Sequence, residues 1–141
     1  MKKLMAVLVV VVLMVPVIAL AVTVVEAQDV IDQYKRKMKA YCDFYDKSPD
    51  QFDDDHAYWM YGFYQMYVAA GRMKIIESEM TLKSHNGGVI ISEADKMLEE
   101  SRIMMNDLLD DQFKKWLNGE VPDEDFYSLI VELAKVTLQD S

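Results

Sequence analysis

The chain has a single cysteine, Cys42. No intramolecular disulfide can staple it, so core packing has to hold the fold, unlike that of many small exported domains. Histidine is nearly as scarce: His56 and His85 are the only two, and neither is paired with a catalytic partner by any motif. That leaves little general acid–base machinery beyond carboxylates. Cys-x-x-Cys-His for haem, Gly-x-Ser-x-Gly, a phosphate loop and zinc-ligand spacing are all missing. The sequence therefore reads as non-enzymatic, with no cofactor and no metal site expected.

Charge is absent from Leu4 to Val25, a run interrupted only by Pro16 and the mildly polar Thr23. Met1-Lys2-Lys3 stands before it, giving the basic and then apolar order of an export signal. Small residues suited to a signal peptidase follow at Ala19-Leu20-Ala21 and at Val25-Glu26-Ala27. Cleavage after Ala27 leaves no apolar stub, which makes residues 1–27 a signal peptide and residues 28–141 a single domain. The alternative is an uncleaved membrane anchor, because the uncharged run reaches about 33 Å as a helix, enough to cross a bilayer. In both cases the two lysines stay in the cytoplasm and the remainder is exported. The expected location is periplasmic or secreted, or else the outward face of the inner membrane.

Losing residues 1–27 removes Lys2, Lys3 and Glu26 from 15 basic and 24 acidic side chains, leaving 13 and 23, a net charge of −10. Such a surface repels nucleic acid and anionic lipid and attracts a basic partner. The inner membrane is a partner only if the N-terminal segment stays attached.

Four amphipathic stretches are present and no strand pattern. Val30, Ile31, Tyr34, Met38, Tyr41, Cys42 and Tyr45 fall three or four apart between Asp29 and Asp46. Pro49 ends that stretch. The second begins at Asp53-Asp54-Asp55, whose carboxylates suit a helix N-terminus, and runs to about Ser84 before the stop signal Ser84-His85-Asn86-Gly87-Gly88. The third is capped by Ser92 and carries Met97, Leu98, Met105, Leu108, Leu109, Phe113, Trp116 and Leu117. The fourth, capped by Asp123 after Pro122, carries Phe126, Leu129, Ile130, Leu133 and Val136. The expected fold is all-α, an antiparallel four-helix bundle with a long central helical hairpin, part of which projects beyond the bundle.

Within the second helix Trp59, Met66, Met73 and Met80 recur every seven residues and predict a buried seam. Gly62, Ala69, Ala70 and Gly71 predict close approach by a neighbouring helix. Tyr58-Trp59-Met60-Tyr61-Gly62-Phe63-Tyr64-Gln65-Met66-Tyr67 sets aromatics all around the helix, more than one face can bury. Tyr58, Trp59, Tyr61, Phe63, Tyr64 and Tyr67 are therefore the candidate partner-binding residues, with Tyr61 and Tyr64 expected at the surface. Asp53-Asp54-Asp55-His56 could be read as a metal site, but adjacent helical residues point apart and no second cluster closes a coordination sphere, so capping is the better reading. His85 reads as a plain loop residue. The eight methionines beyond residue 27 follow helical spacing and read as core, and Cys42, on an apolar face, as a buried thiol.

Cys42, the aromatics Phe44 and Tyr45, and Tyr58-Trp59-Met60-Tyr61-Gly62-Phe63 resemble the cysteine-to-Tyr-Trp-x-x-Gly-Phe stretch of small exported helical proteins, namely periplasmic acid-stress chaperones and the immunity proteins that neutralise type VI secretion toxins. Both groups carry a second cysteine, which is lacking here. The resemblance implies binding to another protein in the envelope. The expected function is thus non-catalytic protein binding as an inhibitor, immunity-like or chaperone-like module. Two alternatives are a membrane-anchored assembly protein that self-associates, for instance as a homodimer, and a carrier of metal or small ligand in the Met/aromatic interior.

Overall fold

The computed structural model describes residues 23–84 and 89–139. The expected export segment, up to residue 22, and the loop residue His85 lie outside the described residues. The described residues form an all-helical fold, with no strand among them. Helix α1 spans Val24–Lys47, α2 Asp54–Ser84, α3 Glu93–Leu117 and α4 Asp123–Gln139, with a 3-10 turn at Pro49–Gln51 between the first two. None of these helices is long and apolar enough to cross a membrane.

Local chemistry sets most of the ends. α1 starts earlier than the apolar periodicity indicates, because Thr23 and Glu26 form a reciprocal capping box. The Thr23 hydroxyl accepts from the Glu26 N–H at 3.1 Å, and the Glu26 carboxylate accepts from the Thr23 N–H at 3.4 Å. Val24 and Ala27 in this first turn are buried. Asp53 accepts from the His56 N–H at 3.1 Å, and Asp54 accepts a hydrogen bond from the Tyr127 hydroxyl, so the acidic run caps and ties α2 as expected. Ser92 caps α3 by accepting from the Asp95 N–H at 3.1 Å. α3 ends where Gly119 turns to a φ of +77°, a left-handed conformation that glycine adopts without a Cβ clash, and its N–H donates to the Trp116 carbonyl.

Helix α2 is the centre of the bundle and packs against all three others. Near the start of α1, Gln28 meets Lys74 late in α2, while near its end Phe44 stacks on His56 early in α2 at 4.6 Å between ring centroids. The first half of α2 is enclosed by aromatic contacts on several sides. Tyr61 stacks on Phe113 at 3.8 Å, Tyr58 packs on Trp116 at 4.9 Å, Phe63 meets Tyr41 edge-on at 5.1 Å, and Trp116 stacks on Phe126 at 4.5 Å. In the second half the cover thins. Ser78 accepts from the Ile91 N–H at 2.9 Å and Lys96 pairs with Glu79 at 3.2 Å, which ties the two arms, but Ile76, Met80 and Leu82 are exposed.

This uneven cover overturns the expected seam of Trp59, Met66, Met73 and Met80. Met66 is buried, Met73 is half-buried, and Trp59 and Met80 face solvent. A seven-residue repeat marks one line along a helix, whereas the neighbours of α2 change along its length. Met97 and Leu108 are likewise exposed, because the buried line of α3 runs through Glu99, Arg102, Asn106, Leu109, Phe113 and Trp116 instead. Those six positions alternate three and four apart, the spacing of a heptad core, but its first three members are polar.

Candidate functional site

Of the six candidate partner-binding aromatics, only Trp59 is exposed, at 45 %. Tyr58, Tyr61, Phe63, Tyr64 and Tyr67 are buried, Tyr64 and Tyr67 completely. The expectation that Tyr61 and Tyr64 lie at the surface is therefore corrected. The counting rule behind it assumed that one helix face is buried, but a central helix flanked on three sides buries nearly its whole circumference. Tyr61 donates from its hydroxyl to Asp110, and burial together with that carboxylate pushes its ionisation far above the ordinary phenol range. These aromatics are core.

Among the described residues, two places differ most from ordinary packing. The first is the outward face of α3. Met97, Met104 and Leu108 are 67 %, 73 % and 52 % exposed and, at intervals of seven and four residues, lie in one row opposite the buried line. Glu100, Asp107 and Asp111, at the same intervals, form an exposed acidic row beside it. Burial of a methionine or leucine of this kind is worth about 1.5–3 kcal/mol, so a row of three is a large unused contact.

The second is internal. Where α3 carries polar residues on its buried line, it meets polar residues of α2. Gln65 and Asn106 exchange two amide hydrogen bonds, at 2.6 and 3.0 Å. One turn on, the Arg102 guanidinium donates through Nη1 to Glu99 Oε1 at 3.0 Å, and Lys74 Nζ approaches the same oxygen at 3.7 Å while donating to Gln28 Oε1 at 2.7 Å. Gly71 makes room for this carboxylate: a Cβ there would stand 2.4 Å from Glu99 Oε2. The glycine thus admits a side chain of a neighbouring helix, a sharper form of the close approach expected from its small size.

Lys35 of α1 lies at the rim, and its pKa is lowered by burial and by the nearby charge of Arg102. A cavity of about 330 Å³ opens here between α1, α2 and α3, lined among others by Gln28, Lys35, Lys74, Leu98, Glu99 and Arg102. The Arg102 guanidinium also lies 5.0 Å over the Tyr67 ring. Its Nε and Nη2, with the hydroxyls of Tyr64, Tyr67 and Thr137, are buried without completing a hydrogen bond to any described residue. The Tyr67 hydroxyl nonetheless lies beside Arg102, and that of Tyr64 beside Thr137. Each buried polar group left unpaired costs about 1–3 kcal/mol, a cost that the pairing of Tyr67 with Arg102 and of Tyr64 with Thr137 reduces.

The sequence carries a signal for this cluster. Reading back from Trp116, Phe113 and Leu109 in steps of three and four lands on Asn106, Arg102 and Glu99. A charged pair on a core line is the clue, and the stronger apolar signal of Met97 and Leu108 masks it.

No family model, no characterised protein and no solved structure matches this chain.

Proposed function

We propose that this chain is an exported, non-catalytic helical module of the cell envelope that binds another protein through the outward face of α3. In the arrangement we propose, the four helices alternate in direction as an antiparallel bundle, which leaves the Met97–Met104–Leu108 face of α3 pointing away from every neighbour. That exposed apolar row with an acidic edge is the observation that carries the reading. The partner surface it fits is apolar with a basic margin, and the excess acidic charge of the chain steers such a partner into place.

Export is proposed from Lys2-Lys3 and the uncharged run after them. The capping box at Thr23 and the burial of Val24 and Ala27 favour processing after Ala21 over processing after Ala27, since the later cut would remove the first turn of α1.

The test is affinity capture of the tagged full-length chain from its own envelope, with mass spectrometry of what co-purifies, for the unaltered protein and for Met104→Glu and Leu108→Glu. The expected result is a partner lost from both variants at unchanged helical signal. Recovery of the same partner with both variants would remove α3 as the binding face. Recovery of only further copies of this chain would replace the reading by self-association.

A further inference from the structure

The uncovered late half of α2 belongs to a larger apolar end of the molecule. Val25 in the first turn of α1, Ile76, Met80 and Leu82 on α2, and Val89 and Ile90 ahead of α3 are 47–59 % exposed, and they are six of the eleven exposed large hydrophobic residues among those described. Two hydrogen bonds gather them at one end. The Ile91 N–H donates to Ser78 Oγ at 2.9 Å, which sets Val89 and Ile90 beside the end of α2, and Lys74 Nζ donates to Gln28 at 2.7 Å, which sets the start of α1 beside the late half of α2. Met80 and Leu82 are two residues apart on a helix, so they point about 200° from each other. A single helix laid against α2 covers one of them and leaves the other in water. A medium that surrounds the end covers both.

The charges at this end suit neutral lipid. From Met80 to Ser92 the sequence has no carboxylate, in a chain with 24. Lys83 is the one lysine or arginine in that stretch, and its long stem lets the ammonium reach headgroups while the neighbouring apolar side chains go deeper. At the base of this end Glu79 pairs with Lys96 at 3.2 Å and Glu26 closes the Thr23 capping box. Glu77, Glu93 and Asp95 add negative charge at the base, which disfavours anionic lipid and leaves a zwitterionic surface as the match.

The chain itself brings a bilayer to this end. The uncharged run from Leu4 to Val25 enters the described structure at Thr23, the residue before α1. A run of that length and polarity occupies the membrane during export, whether it is later removed or kept. From Ser78 to the end of α2 at Ser84 the helical rise adds roughly 9 Å, which matches the depth of about 5–10 Å to which interfacial apolar residues sink.

We infer that this end of the molecule dips into the surface of a zwitterionic bilayer, with Met80, Leu82, Val89 and Ile90 among the lipids and the rest of the domain standing clear. The inference rests on the reading of the N-terminal run as an export segment and is independent of the outward face of α3.

The test incorporates the full chain into phosphatidylcholine vesicles with an environment-sensitive fluorophore on Leu82→Cys, on Ile90→Cys, or on Gln51→Cys in the 3-10 turn before α2 as the control. The unaltered chain, carried through the same labelling, gives the background from Cys42. Blue-shifted emission that is quenched by lipid bearing a nitroxide on its acyl chain is expected for Leu82→Cys and Ile90→Cys and not for Gln51→Cys. Adding Leu82→Glu should abolish the quenching at Ile90→Cys while the chain stays in the vesicle fraction with unchanged helical signal. Vesicle-bound chain with all three fluorophores in water overturns the inference and leaves the export reading standing, whereas failure to enter the vesicles at all removes both. A blue shift without lipid quenching overturns it in favour of a second copy of the chain covering this end. Equal quenching at Gln51→Cys overturns it too, because the domain would then lie flat on the lipid.

Discussion

Replacing Gly71 by alanine sets two known effects against each other. In a helix interior alanine is favoured over glycine by about 1 kcal/mol, so propensity alone raises stability. The new Cβ, however, would stand 2.4 Å from Glu99 Oε2 and 3.4 Å from Glu99 Cδ. The carboxylate has to swing away, and in doing so it leaves Arg102 Nη1, now 3.0 Å distant, and Lys74 Nζ, now 3.7 Å. Breaking a buried ion pair costs about 3–5 kcal/mol when a charge is left uncompensated. Partial re-pairing after rotation of the glutamate lowers that figure, and the propensity gain offsets more of it, so the net loss is about 1–3 kcal/mol. At about 4 °C per kcal/mol for a domain of this size, the unfolding midpoint drops by roughly 4–12 °C. Thermal unfolding followed by circular dichroism measures this directly. The companion measurement repeats Gly71→Ala in a Glu99→Ala background, where the clash is gone and the substitution should become stabilising. A higher midpoint for Gly71→Ala in the unaltered protein would refute the close approach on which the reasoning rests.

Tyr61→Ala should lower stability by about 3–5 kcal/mol through the lost stack on Phe113, while Tyr61→Phe, which loses only the hydrogen bond to Asp110, should cost about 1–2 kcal/mol; denaturant titration separates the two, and near-equal losses would contradict a core role. Burial pushes the Cys42 thiol up to about 11, so its contribution to stability is present below about pH 9 and is lost as pH rises from about 9 to 11, where the unfolded chain gives up the proton first. Iodoacetamide should accordingly leave the folded protein unmodified at pH 8, and rapid labelling there would show an accessible thiol. N-terminal sequencing of the exported form should begin at Val22, and a start at Gln28 would mean that α1 does without its capping box.

The helical class and most of the helix limits follow from local chemistry that a single sequence displays. Ser92, Asp53, Pro49 and Gly119 act within one turn of where they stand, and the α1 face through Ile31, Met38 and Cys42 is buried as its periodicity predicts. The start of α1 was also legible in principle, since Thr23 and Glu26 have capping-box spacing, but the apolar run around Thr23 draws the eye to export instead. What tertiary structure alone decided is how many sides of each helix are covered. Tyr61 and Tyr64 are core because α2 lies between α1, α3 and α4, and Met104 is exposed because α3 lies at the edge, although all of them sit in helical patterns of similar hydrophobicity. The cluster at Arg102 was only half visible, as polar residues on the core line of α3. Lys35, Lys74, Tyr67 and Thr137 lie far from it in sequence, and the packing of four helices brings them to one place.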